Sequence, residues 1–160
     1  FVLQALKTVK GNVELRVVGP MEDKNYWQQC QAAIRELPET IKVNYAGPVP
    51  NHELSAMVQQ HHLFILPTTG ENFGHSIFEA LLAGRPVLIR DQTPWLGLAE
   101  KKAGWDLPLS DKQAFSNVIQ EMAGWNQQQF DEWGQGAWSY AHRFITNPEL
   151  VKPYFDLFYE

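Results

Sequence analysis

Apolar runs alternate with amphipathic segments along most of this chain. The apolar runs predict strands over residues 13–18, 41–46, 62–66, 86–89 and 105–107. The segments between them have helical periodicity and predict helices over residues 1–9, 23–37, 52–60, 75–83, 95–102 and 111–122, with Asp23 and Asn51 as N-caps. An aromatic helical region follows and includes residues 149–159. Strands separated by helices of this length predict an α/β fold with a doubly wound parallel sheet.

One of the predicted loops combines two acids with a glycine and a helix start. In a doubly wound sheet ligands bind outside the carboxyl ends of the strands, where residues 19–22, 47–50, 68–74 and 90–95 would form loops. Glu71 lies in the third loop, and Glu79 lies about 6–8 Å along a helix that starts near Gly74. Free amides at a helix start suit an anion, and carboxylates suit hydroxyl donors. The pattern favours a nucleotide-sugar ligand, although two glutamates at this spacing also occur by chance.

Size, charge and cysteine content narrow the class of protein. The chain has 160 residues and a formal charge of −5, which argues against nucleic-acid binding. Cys30 is the single cysteine, so an internal disulfide and a cysteine-based zinc site are excluded and a reducing compartment is favoured. No run approaches the roughly 20 apolar residues of a transmembrane helix. Because the chain lacks an initiating Met and starts within an amphipathic pattern, we expect it to be part of a longer protein.

Residues 70–89, with the sequence GENFGHSIFEALLAGRPVLI, resemble the donor-binding half of a family 4 glycosyltransferase of the GT-B fold. Glu71 and Glu79 match the E-x7-E motif of that family, and the following Glu-Ala, Gly and Pro-Val match its helix end and next strand. Residues 18–20, 45–47 and 66–67 agree with its flanking segments. Residues 91–95 and 104–108 resemble variants in bacterial polysaccharide-type members. The resemblance covers most of residues 13–122.

The resemblance implies a Rossmann-like nucleotide-sugar-binding domain over residues 1–124. Residues 125–160 would form C-terminal helices that pack on it and reach an N-terminal domain of the longer protein. The implied reaction moves a sugar, with retention, from a nucleotide diphosphate to a hydroxyl of a glycan or lipid-linked glycan. No cofactor and no metal are expected, because the nucleotide-sugar is a substrate. The expected location is the cytoplasm, with peripheral association at the inner face of the membrane, and the isolated chain is expected to be inactive.

The resemblance also implies roles for individual residues. Glu71 would be the catalytic residue that contacts hydroxyls of the transferred sugar, and Glu79 would hold the ribose diol. Backbone amides of residues 73–77 would approach the sugar and the diphosphate, and residues 47–49 would lie near the base. The full set of implied substrate-binding residues is Gly19, Gly47, Val49, Phe73, Gly74, His75, Ser76, Ile77, Glu79, Arg90 and Thr93. The Arg-Lys pair that precedes the first helix of this domain in the family is absent from this chain.

The sequence leaves several assignments open. His75 either assists at the site or pairs with Glu79 on the helix surface, and Arg90 faces either the phosphates or a surface carboxylate. Trp95 either closes the cleft or packs on the sheet. The whole chain could instead belong to a sugar-nucleotide epimerase of similar architecture or to a non-catalytic binding module. An apolar patch formed by Tyr154, Phe155, Phe158 and Tyr159 would make the isolated chain self-associate.

Overall fold

The computed structural model describes residues 1–147, which form five strands and six α-helices. In chain order they are α1 (Val2–Leu6), β1 (Val13–Val18), α2 (Lys24–Arg35), β2 (Ile41–Gly47), α3 (Asn51–Gln59), β3 (Phe64–Leu66), α4 (His75–Leu82), β4 (Val87–Arg90), β5 (Gly104–Leu107), α5 (Lys112–Met122) and α6 (Gln127–Thr146). The α/β prediction is confirmed. The predicted helix over 149–159 and the patch of residues 154–159 lie outside the described residues.

All strand pairs in the described part of the chain are parallel, but the strands form two groups. β1 pairs with β2 from Val13 opposite Ile41, with a register shift after Val17. β3, β4 and β5 form the second group in that order, with Phe64 opposite Val87 and Val87 opposite Gly104. The parallel arrangement was predicted. The break between β1 and β3 was not.

Apolar side chains alternate between two cores, one on each face of the strands. In β4, Val87 and Ile89 belong to one core, whereas Leu88 belongs to the other. The first core is formed with α4 and α6, and the second with α1 and α5. Both faces of β4 are covered, which explains its continuous apolar sequence.

Of the two predicted helix caps, Asp23 is confirmed and Asn51 is not. The Asp23 carboxylate accepts hydrogen bonds from the N–H groups of Asn25 and Tyr26 at 2.8 and 3.0 Å, which fixes the start of α2. Asp111 caps α5 in the same way. The prediction of Asn51 as a cap was wrong, because Pro50 is the N-cap and Asn51 is already helical.

Two predicted boundaries also require correction. β3 begins at Phe64, two residues later than expected. Residues 95–102 contain only one 3₁₀ turn, at Ala99–Lys101, instead of an α-helix. The Asp106 carboxylate accepts hydrogen bonds from the N–H groups of Gly97 and Leu98 at 3.1 and 3.0 Å, and Gly97 has a φ of 65°. A contact from a neighbouring strand therefore replaces the helical hydrogen bonds.

α6 supplies the extra C-terminal helix that the sequence predicted. Asn126 and Gln129 form a capping box at its start, which holds the first turn through two reciprocal hydrogen bonds. Among the helices of residues 1–147, none combines the length and apolar character needed to cross a membrane.

Candidate functional site

The N-terminus of α4 presents backbone amides without a side-chain cap. Gly74 is the N-cap and has a left-handed conformation, with a φ of 77°. The first intrahelical bond runs from the Phe78 N–H to the Gly74 carbonyl at 3.0 Å, so the N–H groups of His75, Ser76 and Ile77 precede it. Together with the helix dipole, these amides form an arrangement that binds anions in other proteins.

Trp95 holds the loop that leads into α4. Its indole N–H donates to the Phe73 carbonyl at 2.5 Å, and its ring stacks on Phe78 with an interplanar angle of 15°. The Trp95 backbone N–H donates in turn to the hydroxyl of buried Thr93 at 3.2 Å. Only 3% of Trp95 is exposed, so it packs against the first core rather than forming an open wall of the cleft.

Arg90, at the end of β4, contacts the same loop. Its guanidinium donates a hydrogen bond to the Thr69 carbonyl, and its Nε lies 4.0 Å from the Asp91 carboxylate. The Thr68 hydroxyl donates to the Gly70 carbonyl at 3.0 Å, which closes the loop on itself. These contacts make Arg90 a residue that positions the loop.

A cavity of about 1040 Å³ runs along β1 and β3 and reaches their carboxyl ends beside α4. Gly19, Val49, Ser76 and Glu79 are among the residues that line it. The Tyr45 hydroxyl donates to the Gly19 carbonyl at 2.8 Å and so fixes one edge of the opening. Four of the residues implied by the resemblance are therefore brought together around one space.

The Glu79 side chain is exposed, and within residues 1–147 it forms no ion pair. The carboxylate is therefore available to a ligand. The His75 ring packs against Phe73 with 4.8 Å between ring centroids, and the described residues contain no His75–Glu79 salt bridge. Of the two roles left open for His75, the surface pair with Glu79 is not formed.

The other implied residues do not line this cavity. Glu71 is half-buried in the loop before Gly74, where no ion pair engages it among the described residues. The remaining residues outside the lining are Gly47, Phe73, Gly74, His75, Ile77, Arg90 and Thr93. Ile77 is fully buried in the first core, so only its backbone N–H could face a ligand.

Three polar side chains shape the loops without having been predicted. They are Tyr45, Asp106 and Tyr140, whose hydroxyl donates to the Leu96 carbonyl at 2.9 Å. Burial raises the pKa of the Tyr140 hydroxyl, and the bond to Leu96 opposes this to a smaller degree. Asp106 offered a signal, because it is an acid within a short apolar strand. Within residues 1–147 no group of three His, Cys, Asp or Glu residues could hold a metal ion.

The fold is similar to several solved structures, among them two named as glycosyltransferases. Anabaena Alr3699/HepE in complex with UDP-glucose superposes with a TM-score of 0.76 at 19% identity, over 96% of this chain and 44% of that one. WaaG, a glycosyltransferase involved in lipopolysaccharide biosynthesis, gives 0.73 at 19% identity, over 97% and 41%. The C-terminal domain of the group 1 glycosyl transferase LpcC from Francisella tularensis gives 0.53 at 12% identity, over 89% and 92%.

At these identities the similarity shows the fold alone, which is the Rossmann-like fold of GT-B glycosyltransferases. The chain spans less than half the length of Alr3699/HepE and of WaaG. No curated protein matches the sequence. Residues 1–128 match the model of the family described as Glycosyl transferases group 1, and the chain therefore belongs to that family.

Proposed function

We propose that this chain is the donor-binding half of a retaining family 4 glycosyltransferase that uses a nucleotide-diphosphate sugar. The observation that carries the proposal is the position of Ser76 and Glu79. Both line one cavity, which reaches the carboxyl ends of β1 and β3 beside the uncapped start of α4. Alr3699/HepE, which shares the fold, is in complex with UDP-glucose.

The geometry of α4 fits the two chemical parts of such a donor. The amides of the first turn and the helix dipole would bind the diphosphate. Glu79 lies three residues after Ser76, on the same side of the helix and about 4.5 Å further along its axis. Its carboxylate would accept hydrogen bonds from the ribose diol. Glu71, on the other side of the amides, would contact hydroxyls of the transferred sugar.

In this proposal, the acceptor of the sugar binds mainly outside this chain. The acceptor, a glycan or a lipid-linked glycan, would bind mainly to an N-terminal domain of the longer protein, with the reaction in the cleft between the domains. Closure of that cleft would bring the acceptor hydroxyl to the anomeric carbon of the donor. We place the protein in the cytoplasm, in polysaccharide biosynthesis at the inner face of the membrane, and assign it no metal cofactor.

The role of Glu79 can be tested by calorimetry on the full-length protein with UDP-, GDP- and ADP-glucose. Glu79→Gln removes the charge that would strengthen the ribose hydrogen bonds, which are worth about 1.5–3 kcal/mol each. We expect the Kd of the preferred donor to rise roughly 10- to 100-fold. Glu100→Gln is the matched control, because Glu100 is exposed and lies outside the cavity lining. Equal Kd values for the two variants would remove the ribose role.

Glu71→Gln tests the sugar contact separately. We expect kcat to fall by about 10²-fold or more, because the contact to the reacting sugar is lost, while the Kd of the free nucleoside diphosphate changes little. A matching loss of nucleoside diphosphate affinity would contradict this assignment. The anomeric configuration of the product, determined by NMR, tests retention. Release of an epimerised sugar without an acceptor would favour an epimerase, and donor binding without any turnover would favour a non-catalytic module.

A further inference from the structure

A groove of about 390 Å³ lies between the end of α4 and the side of α6. The side chains that line it with polar or aromatic groups are those of Arg85, Phe130, Asp131, Gln135 and Trp138. The groove begins at the C-terminal end of α4, whereas the uncapped amides lie at its other end, about 12 Å away along an eight-residue helix. Of the residues that line the groove, only Phe130 also lines the cavity beside Glu79.

The groove forms where α6 approaches the turn after α4 without an intervening side chain. A Cβ built on Gly134 would lie 3.0 Å from the Gly84 carbonyl oxygen, and both glycines line the groove. Asp131, Gln135 and Trp138 follow one another along α6 at intervals of four and three residues, so they lie on the same side of the helix. One side of α6 therefore presents a carboxylate, an amide and an indole to the same groove.

Arg85 is fixed on the α4 side of the groove. Its guanidinium donates hydrogen bonds to the Gly84 carbonyl at 3.0 Å and to the Gln59 carbonyl at 2.5 Å, and it lies 5.2 Å from the centroid of the Phe130 ring. Among residues 1–147 no carboxylate forms an ion pair with it, and its Nε is buried without a hydrogen-bond partner. The guanidinium is thus a positioned donor whose hydrogen-bonding capacity is only partly used.

The two charges of the groove do not pair with each other. Asp131 accepts a hydrogen bond from the Gln127 amide at 2.7 Å, but it forms no ion pair with Arg85 in the described part of the chain. An anionic ligand would be attracted by Arg85 and repelled by Asp131, and a cationic ligand would meet the reverse difficulty. A hydroxyl group both accepts from a guanidinium and donates to a carboxylate, so it suits both side chains. The polar lining therefore favours a neutral ligand that carries hydroxyl groups.

Trp138 adds a flat apolar surface to this polar pair. It is 42% exposed, which is unusual for so large an apolar side chain. The His142 ring stacks on it with 4.6 Å between ring centroids and an interplanar angle of 23°. His142 covers one face of the indole, and among residues 1–147 no other ring packs on Trp138, so the opposite face is open to a ligand. The electron-rich face of an aromatic ring attracts the weakly positive C–H groups that one side of a pyranose ring presents.

We infer that the groove binds a neutral pyranose unit of a glycan chain, with the sugar ring on Trp138 and its hydroxyls between Arg85 and Asp131. The Gln135 amide donates to the Ser139 hydroxyl at 3.2 Å, which leaves its oxygen as a further acceptor for the sugar. The inference does not depend on the proposed function, because the donor groups of Ser76 and Glu79 lie at the other end of α4. It assigns glycan recognition to a surface outside the candidate donor site.

Binding to an array of neutral and uronate-containing oligosaccharides tests the inference on the full-length protein, with UDP present in excess to fill the donor site. We expect neutral oligosaccharides to be retained. Calorimetry with the neutral oligosaccharide that binds most tightly then compares variants. Trp138→Ala and Asp131→Asn should each raise its Kd roughly 10-fold or more. Tyr26→Ala is the matched control and should leave the Kd unchanged, because Tyr26 is 58% exposed and lies outside the groove.

Gln135→Ala provides a variant that keeps the fold, because Gln135 is exposed, and thermal unfolding verifies that each variant is folded. It should also raise the Kd of the oligosaccharide. Retention of uronate-containing oligosaccharides alone, no retention of any neutral one, or equal Kd values for Trp138→Ala and Tyr26→Ala would overturn the inference. Glu79→Gln separates this inference from the proposed function, since it should weaken UDP binding and leave oligosaccharide binding unchanged. A loss of oligosaccharide binding in Glu79→Gln would place the glycan in the donor cavity and would also overturn the inference.

Discussion

Substitution of Gly74 by alanine should destabilise the protein and weaken donor binding together. Gly74 has a φ of 77°, a conformation that residues with a Cβ rarely adopt. A Cβ at this position would lie 2.9 Å from Ile77 Cδ1 and 3.3 Å from Trp95 Nε1. Ile77 is fully buried and Trp95 is 3% exposed, so a shift of either side chain disturbs the packing of the first core. The added methyl group must therefore shift the start of α4 or the Trp95–Phe73 hydrogen bond.

The expected magnitude follows from two contributions. A left-handed conformation in a non-glycine residue costs about 1–2 kcal/mol. Forcing a methyl group into a packed region costs about 1–3 kcal/mol. Their sum lowers the free energy of unfolding of this domain by about 2–5 kcal/mol, or by roughly 5–15 °C in Tm for a domain of this size.

Gly70→Ala is the matched control for this experiment. Gly70 belongs to the same loop, its φ is not positive, and nothing lies within 4 Å of a Cβ built there. We expect it to change the free energy of unfolding by less than about 0.5 kcal/mol. Urea unfolding followed by circular dichroism measures stability, and calorimetry with UDP measures binding. Equal stability of the Gly74→Ala and Gly70→Ala variants would refute the packing argument for Gly74.

Two further predictions concern the residues that hold the neighbouring loops. Trp95→Phe removes the N–H that donates to the Phe73 carbonyl. We expect urea unfolding to show a free energy of unfolding lower by about 1–3 kcal/mol, together with weaker UDP binding. Unchanged binding would contradict the role of Trp95 in holding the loop. Burial raises the pKa of Tyr140 above its unfolded value of about 10. The stability that this shift contributes is therefore complete below about pH 10 and is lost as the pH rises through the folded pKa. Tyr140→Phe should flatten this alkaline loss in thermal unfolding, and a profile as steep as that of the unsubstituted protein would contradict it.

The elements that the sequence predicted well are those fixed by local chemistry. Asp23 and Asp111 cap helices through bonds to amides two or three residues away, and the apolar run of β4 reflects burial on both faces. The predicted helix over 95–102 failed because Asp106, eight or nine residues further along, binds the amides of Leu98 and Gly97. The hydrophobic periodicity of residues 95–102 does not reveal a hydrogen bond to a side chain of the next strand. The break between β1 and β3 was not predicted for the same reason, because the periodicity of a segment does not show which strands are its neighbours in the sheet.

The candidate site shows the same contrast between features set by local sequence and features set by distant contacts. The predicted helix start near Gly74 is confirmed by α4, and a cavity lies beside Ser76 and Glu79. The sequence did not reveal the partner of Arg90, the Thr69 carbonyl, which lies 21 positions away. The donor-contact roles of Glu71 and Glu79 stay predictions until the binding experiments are done.

The two sides of α4 explain how this short helix can pack in the core and also face a ligand. Ile77, Ala80 and Leu81 are completely buried, whereas Ser76 and Glu79 are exposed and line the cavity. With 3.6 residues per turn, the centres of the two sets lie roughly 120° apart around the helix axis. Burial of the first set fixes the helix rigidly, so the amides and the Glu79 carboxylate keep a constant separation. Substitutions on the exposed side should therefore alter binding with little change in stability, whereas substitutions on the buried side should alter both, because the ligand groups depend on the packing beneath them.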